Sequence, residues 1–367
     1  MLRTLTEIPN VTGMRVLVRA SFDVPIENGA VTDPLRLDAA LPTIEYLRHK
    51  GARVVLMGHV GRDPMFSARP VYEYLKTKIP LSFTEDIAGP QAQAASRNLK
   101  DGEILMIENL RRDSGERGND DTFARSLAAL GDIYVNDAFT NTHRNHASMV
   151  GVPKYIPGYA GLQLMDEVNG LTPALHPESP SLAVIGGKKF ETKAAVVHTL
   201  LNKYDKLFIG GAIVNDFLKA KGLEVGKSLI ADPEMVRPLL NNSKIILAED
   251  VTIENPNGVE DRDVTDVHEN DTIFDIGPKS IAALRPVIEK SRTILWNGPM
   301  GNFEKGFTKQ TDALAKMIAE SKGKTIVGGG DTLASIQSLN LMEKFSFVST
   351  AGGAMLGFLA NGTLPGI

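Results

Sequence analysis

The stretch RVLVRASFDVPIENGAVTDPLRLDAALPTIEYLRHKGARVVLMGH, residues 15–59, decides the fold class. It opens on one apolar run, RVLVRASF (15–22), and closes on another, RVVLMGH (53–59). Between them RLDAALPTIEYLRHKG (36–51) carries a helical pattern and stops at glycine, the usual residue just past a helix end. Neither flanking run alternates apolar with polar. Near-continuous apolar runs fit strands covered on both faces. Strand, helix, strand reads as one unit of a parallel sheet.

The same pattern continues outward. Further apolar runs are EILMIENLR (103–111), DIYVNDAF (132–139), SLAVIGG (181–187), KLFIGG (206–211), KIILAED (244–250), TIFDIGP (272–278), TILWNGP (293–299), KTIVGGG (324–330) and FSFVSTAGG (345–353). Helical patterns lie between many of them, such as DTFARSLAALG (121–131) and TDALAKMIAESKG (311–323). So many strands predict two sheets in an α/β chain: two Rossmann-like lobes, each a mostly parallel sheet covered by helices, joined by a hinge helix. The Pro- and Gly-dense VPKYIPGYAG (152–161) marks the boundary, and LQLMDEVNGLTPAL (162–175) reads as the joining helix. The expected division is 1–158, a hinge over 159–180, and 181–354.

The totals remove many functions. The chain has 367 residues, 43% hydrophobic and 23% charged, as in ordinary globular proteins, and that length suits two domains. The net charge of -4 gives no excess of positive charge for nucleic acid or an anionic membrane. Cysteine is absent, which excludes disulfides, thiolate metal sites and cysteine nucleophiles. MLRTLTEIPNVTG lacks the apolar core of a signal peptide, and no apolar run is long enough to span a membrane, so a cytosolic location is expected.

The basic residues are unevenly divided. Residues 1–157 hold 14 of the 18 arginines but only 5 of the 22 lysines, balanced by 19 acidic residues. Arginine offers a planar fork to carboxylate and phosphate, where lysine offers a point charge. Ligands of open α/β sheets bind beyond the carboxyl ends of strands. In the first half those ends carry Arg19, then Arg36, His59 and Arg62, Arg111 and Arg112, and His143, Arg144 and His146. Four strand ends offering cations to one sheet edge imply a small ligand bearing phosphate or carboxylate.

In the second half the strand ends carry glycine: IGGKKFETK (185–193), IGGAIVNDF (209–217), WNGPMGNFE (296–304), VGGGDT (327–332) and STAGGA (349–354). Glycine lets backbone amides approach a phosphate, and a following helix N-terminus favours negative charge. Lys189 and Lys193 are placed to reach phosphate oxygens. Asp331 is a suitable single carboxylate for a phosphate-bound Mg²⁺, which needs few protein ligands. Five such ends favour a nucleotide site. GLEVGKS (222–228) imitates a P-loop, but three residues separate its glycines where four are required, and it follows a helix. No GxGxxG occurs. Trp296 reads as a packing residue at a strand end.

The chain resembles phosphoglycerate kinases over essentially its whole length. The segments that carry the resemblance come in the family's order: VRASFDVP, TDPLRLDAALPTIEYL, GHVGR, ENLRR, VNDAFTNTHRNHAS, IGGKKFETK, FIGGAIVNDFLKAKG, VGKSL, DIGPK, WNGPMGNFE, IVGGGDT, then VSTAGGA and LPG. The resemblance implies an N-terminal lobe for 3-phosphoglycerate or 1,3-bisphosphoglycerate and a C-terminal lobe for ADP or ATP with Mg²⁺. The chain is expected to be a cytoplasmic monomer with no nucleic-acid or membrane partner. Carried over by motif, Ser21, Phe22, Asp23, Arg36, His59, Val60, Gly61, Arg62, Arg111 and Arg144 would contact the glycerate substrate. Lys193, Gly210, Gly211, Asn297, Glu304, Gly329, Gly330, Asp331 and Thr332 would contact nucleotide, with Asp331 on the metal. Arg36, Lys189, Gly352 and Gly353 would stabilise the phosphoryl group in flight. Residues 355–367 would return to the N-terminal lobe, and closure about the hinge would join the two sites.

Three departures stand out. Where the family usually reads D-F-N, this chain has Ser21-Phe22-Asp23, so a carboxylate is missing from one position and Asp23 supplies one two residues later. The family's T-G-G-G-A is Thr350-Ala351-Gly352-Gly353-Ala354 here, with Ala351 narrowing the backbone freedom. Lys188 occupies the place of an alanine, which leaves Lys189 aligned with the family's lysine. The first two departures raise the alternative of a catalytically impaired relative that only binds.

Overall fold

The computed structural model describes residues 2–367, which form two compact units. One comprises the chain up to Asn169 together with Thr363–Ile367, and the other Gly170–Gly362.

The first unit is built on six parallel strands in the order Ser82–Phe83, Ile104–Met106, Arg53–Met57, Arg15–Arg19, Ile133–Asn136, Gly158–Ala160. The opening stretch supplies two central strands, with Val16 beside Val54 and Val18 beside Leu56. The helix between them, Leu35–His49, buries Leu37, Ala40, Ile44 and Leu47. Successive side chains of a strand point to opposite faces. Accordingly Val16, Val18, Val54 and Leu56 join the core under that helix, while Leu17, Val55 and Met57 join the core on the other face, with Leu127 of helix Asp121–Ala128. A strand buried on both faces has no solvent-facing side, which is why its apolar run does not alternate with polar residues.

The second unit repeats the plan with Ile245–Ile246, Lys206–Ile209, Ser181–Ile185, Thr293–Asn297, Lys324–Gly328 and Phe347–Ser349, all parallel. The chain leaves Ser181–Ile185 toward one edge and returns at Thr293–Asn297 to build toward the other. Trp296 is fully buried there, and its indole donates to the Gly298 carbonyl at 2.9 Å.

Several readings need correction. TIFDIGP is not a strand of a doubly covered parallel sheet. Thr272–Ile276 pairs antiparallel with Asp250–Asn255, which pairs antiparallel with Gly258–Asp263. The last strand is almost wholly exposed, so it has no apolar run to betray it. The unit boundary falls after Asn169, inside helix Leu162–Leu175, rather than at the ends of 159–180. Helix Gly353–Asn361 packs against helix Ala194–Lys203 of the second unit, with Thr199 Oγ1 donating to the Ala360 carbonyl at 3.2 Å. Its buried Ala354, Met355, Phe358 and Leu359 explain that choice. Only Thr363–Ile367 belong to the first unit, where the Gly366 amide donates to the Thr142 carbonyl at 2.9 Å.

The sequence VGKS follows helix Ile213–Ala220 and is a turn. A Cβ at Gly226 would lie 2.2 Å from the Asp271 carbonyl oxygen, so that glycine serves a close backbone crossing. Among the described residues no helix is long and apolar enough to cross a membrane.

Candidate active site

Each parallel sheet has one point where the chain reverses its direction of growth, and the crevice there is where such folds bind ligands. In the first unit it lies between Arg15–Arg19 and Ile133–Asn136. Ser21, just past the first strand, shares a hydrogen bond of 2.8 Å with Thr140, just past the second. Asp23 lies two residues on. Its Oδ1 accepts from the Gly61 amide at 3.0 Å, and its Oδ2 is 3.6 Å from His59 Nε2. Arg36 reaches the same loop from the start of its helix, donating to the Asp23 carbonyl at 2.6 Å. Arg111 donates to the Gly61 carbonyl, and its charge is felt by both Asp23 and His59. Arg144 adds a further cation beside Arg111.

The electrostatics follow from crowding. Burial works against ionisation of Asp23, but His59, the Gly61 amide and Arg111 outweigh it and hold the carboxyl well below the usual range. Burial, with Arg19 and Arg111, pushes His59 down to about 4, so its ring is neutral near pH 7. Burial and the charge of Arg144 lower Arg111 to about 10, still protonated at neutral pH. Buried nitrogen at Arg111 Nε and Arg144 Nε has no protein partner. Buried polar groups are normally satisfied, so these donors point to an anionic ligand.

Three residues of this edge, Arg19, Phe22 and Val60, behave differently from expectation. Arg19 is fully buried and faces inward, not toward a ligand. The Phe22 side chain is also fully buried: a Cβ on Gly58 would lie 2.2 Å from its ring. Both backbone groups of Val60 are engaged by the Asn109 amide, at 3.1 and 3.0 Å. Arg62 is exposed, and its carbonyl accepts from Arg117. Sequence reading missed Asn109, which also donates to the Phe66 carbonyl at 2.7 Å and so fixes the loop that carries His59 and Arg62. An asparagine within ENLRR gives no distinguishing signal.

In the second unit the reversal lies between Ser181–Ile185 and Thr293–Asn297. Lys193, at the entrance to helix Ala194–Lys203, donates to Asn297 Oδ1 at 2.7 Å across that crevice. Asn297 in turn donates to the Gly328 carbonyl at 2.9 Å, and Thr332 Oγ1 accepts from the Gly298 amide at 3.1 Å. Lys193, Asn297, Gly329, Gly330, Thr332 and Gly352 line a cleft of about 250 Å³. The nine-residue helices Gly330–Ser338 and Gly353–Asn361 both begin at it. Amides of a helix's first turn lack intrahelical partners and favour an anion.

A second cleft of about 290 Å³ continues from the first, with Gly187, Pro299 and Asp331 common to both. Leu229, Phe274 and Met300 give it apolar walls, and Glu304 stands at its side. A polar, glycine-lined half joined to an apolar half suits phosphates and a base. The loop 186–193 is forced close: a Cβ on Gly186 would lie 2.1 Å from the Pro299 carbonyl oxygen. Gly211, at φ +61, likewise lies against Gly187. Gly210 makes no such approach to the cleft. Its amide bonds the Ile185 carbonyl and its α-carbon abuts Met300. Lys188 is ion-paired with Glu304 at 2.8 Å, whereas Lys189 is exposed beside it. Asp275, the first residue of DIGPK but not among the expected site residues, lines the apolar half; burial pushes it up to about 7.

Ala351 does not disturb the turn. Positive φ at residues other than glycine is confined, among the described residues, to Asn28, Asn119 and Asn340, and Gly352 itself has φ -95. The position therefore needs no glycine.

A family model for phosphoglycerate kinase matches residues 5–362. The chain belongs to the phosphoglycerate kinase family. The phosphoglycerate kinase of Dictyoglomus turgidum is 40% identical, over 98% of this chain and 96% of its own. That of Chloroflexus aurantiacus is 43% identical, over 97% and 95%. Among solved structures, phosphoglycerate kinase from Coxiella burnetii superposes with a TM-score of 0.87 at 36% identity, covering all of this chain and 98% of that one. The enzyme from Pyrococcus horikoshii gives 0.88 at 30% identity, over 100% and 97%. The activity is accordingly that of a phosphoglycerate kinase, a phosphotransferase with a carboxyl group as acceptor.

Proposed function

We propose that 3-phosphoglycerate and 1,3-bisphosphoglycerate bind the arginine-rich edge of the first unit, and ADP or ATP the joined clefts of the second. The observation that carries the second assignment is the continuity of a glycine- and Lys193-lined cleft with an apolar one through Gly187, Pro299 and Asp331. Arg36, His59, Arg111 and Arg144 receive the glycerate's anionic groups. Phosphates lie against Lys193 and the two helix N-termini, with Glu304 near the ribose end.

The Mg²⁺ that the family implies suits the residues present. Asp331 is an exposed carboxylate at the junction of the two clefts, and the described residues hold no cluster of three or more His, Asp or Glu for an all-protein cage. A metal carried largely by nucleotide phosphates and water needs only such a single ligand. When bound, it neutralises charge on those phosphates.

Acyl phosphate transfer requires no general base, because the attacking carboxylate or ADP phosphate is already anionic. The protein's work is positioning and charge neutralisation. Arg36 on the first unit, and Lys189 with the amides of Gly352 and Gly353 on the second, provide the positive potential. Direct transfer implies a hinge-bending step between binding and chemistry. We place the enzyme in the cytosol as a monomer.

The test is ATP formation from 1,3-bisphosphoglycerate and ADP in a coupled assay. Activity should vanish with excess EDTA, and Asp331→Ala should need far more Mg²⁺. Activity indifferent to both treatments would remove Asp331 from the metal.

A further inference from the structure

A buried chain of side chains runs behind the glycerate edge. Arg19 lies at the end of a central strand with no exposure. Its Nε donates to Ser148 Oγ at 3.0 Å, one Nη donates to the Ala20 carbonyl, and Nη2 is 2.7 Å from His59 Nδ1. Ser148 Oγ donates to Glu116 Oε1 at 2.7 Å, and the Ser148 amide donates to Oε2 at 3.0 Å. His146 Nδ1 lies 3.5 Å from the same carboxylate. Glu116 is itself fully buried and supplies the counter-charge for Arg19.

A guanidinium has five donors and no acceptor, and it stays protonated in proteins. The contact with His59 therefore has one possible polarity: Nδ1 accepts, so it bears no hydrogen. The remaining proton of a neutral imidazole must be on Nε2. That atom is buried, 3.6 Å from Asp23 Oδ2, and has no hydrogen-bond partner within the protein. It faces the loop on which Asp23, Gly61 and Arg36 meet.

We infer that Arg19 is a positioning residue: through Nδ1 it fixes His59 as the Nε2–H tautomer and aims that proton into the glycerate site. Arg19 is fully buried and offers a ligand no exposed surface. Glu116 and Ser148 hold it in place and keep its charge from being uncompensated. The consequence is a neutral donor in a site otherwise built from cations, able to meet a substrate oxygen that Asp23 Oδ2 approaches from the other side. This rests on the glycerate-site assignment for its kinetic part only.

Two groups of measurements test it. In the unmodified protein labelled with ¹⁵N-histidine, and with His59→Gln used to assign the signal, His59 should show an unprotonated Nδ1 and a protonated Nε2. It should keep that state from pH 5.5 to 8, because burial and the charges of Arg19 and Arg111 oppose a second proton more strongly than the Asp23 carboxylate favours one. A protonated Nδ1, or a cationic ring at pH 7, overturns the inference, and neither result bears on where the substrate binds. In Arg19→Gln/Glu116→Gln, which removes both buried charges together, the tautomer should become mixed. KM for 3-phosphoglycerate should rise about tenfold or more with KM for ATP unchanged. An unchanged tautomer in that folded variant would refute the role of Arg19. A mixed tautomer with unchanged KM would keep Arg19 as the positioning residue and remove His59 from the glycerate site.

Discussion

Lys193 Nζ and Asn297 Oδ1 are 2.7 Å apart across the crevice where the second sheet reverses, and the partner of this buried ammonium is a neutral amide. Burial lowers the lysine to about 8. Nucleotide phosphates would restore the cationic form. Between about pH 8 and the ordinary lysine value near 10.4, binding must therefore take up a proton. Calorimetry of ADP binding at pH 9, in buffers of different ionisation enthalpy, should show net uptake close to one proton. The uptake should disappear at pH 6.5 and in Lys193→Met. KM for ADP should rise as pH passes 8.

Arg36 donates to the Asp23 carbonyl and so stands at the loop that also carries the Gly61 contact. If it acts on the transferring phosphoryl group, Arg36→Ala should lower kcat by roughly two to three orders of magnitude. ADP affinity should stay near normal, because the nucleotide clefts belong to the other unit. Turnover near that of the unmodified enzyme would take Arg36 out of the transition state.

How much of this was legible depends on what each residue must satisfy. Strands such as Ser181–Ile185 and Thr293–Asn297 are buried at every position, so their apolar runs announced them. Gly258–Asp263 survives on antiparallel pairing alone and reads as a charged loop. Arg36, Lys193 and Asp331 stand out because a charged residue after an apolar run has few structural uses, whereas Asp23 is marked only by the family resemblance. Arg19 satisfied the same rule and faces inward instead. The rule sees the strand end but not the Ser148–Glu116 pair, more than 90 residues away in sequence, that draws the side chain into the core. Asn109 and Asp275 lie inside ENLRR and DIGPK, yet their roles did not show for the opposite reason: their partners are backbone groups, which no sequence pattern marks.

Ser21 stands where the resemblance places a carboxylate, and Asp23, which holds the Gly61 amide beside His59, is the residue proposed to stand in for it. Ser21→Asp would bring a second carboxylate to the crevice and should leave KM for 3-phosphoglycerate unchanged or raise it. Asp23→Asn is the sharper change. Its carbonyl oxygen can keep the Gly61 amide, but its NH₂ would then face His59 Nε2–H, donor against donor. KM for 3-phosphoglycerate should rise by about tenfold or more. A lower KM in Ser21→Asp would show that Asp23 does not stand in.

The two adjacent lysines of IGGKKFETK have separable roles. Lys188 is paired with Glu304, with both side chains more than half exposed, and such pairs contribute about 0–1 kcal/mol. Lys188→Ala should leave Tm and kcat nearly unchanged. Lys189→Ala should lower kcat by about two orders of magnitude if it faces the phosphoryl group. Steady-state rates of the two variants decide which lysine matches the family's, and the reverse pattern would move the assignment by one residue.

Gly210 and Gly211 were expected to bind nucleotide together, but they answer to different forces. A Cβ on Gly210 would lie 2.5 Å from Met300 Sδ, a flexible side chain, whereas on Gly211 it would lie 2.4 Å from the Gly187 amide nitrogen, at a φ that L side chains rarely adopt. Gly210→Ala should therefore cost about 1–3 kcal/mol of stability through overpacking, with KM for ADP little changed. Gly211→Ala must displace the backbone of the loop that leads to Lys189 and Lys193. It should raise KM for ADP as well as lower stability. Paired chemical denaturation and ADP titrations separate the cases, and equal effects on KM in both variants would return Gly210 to the binding site.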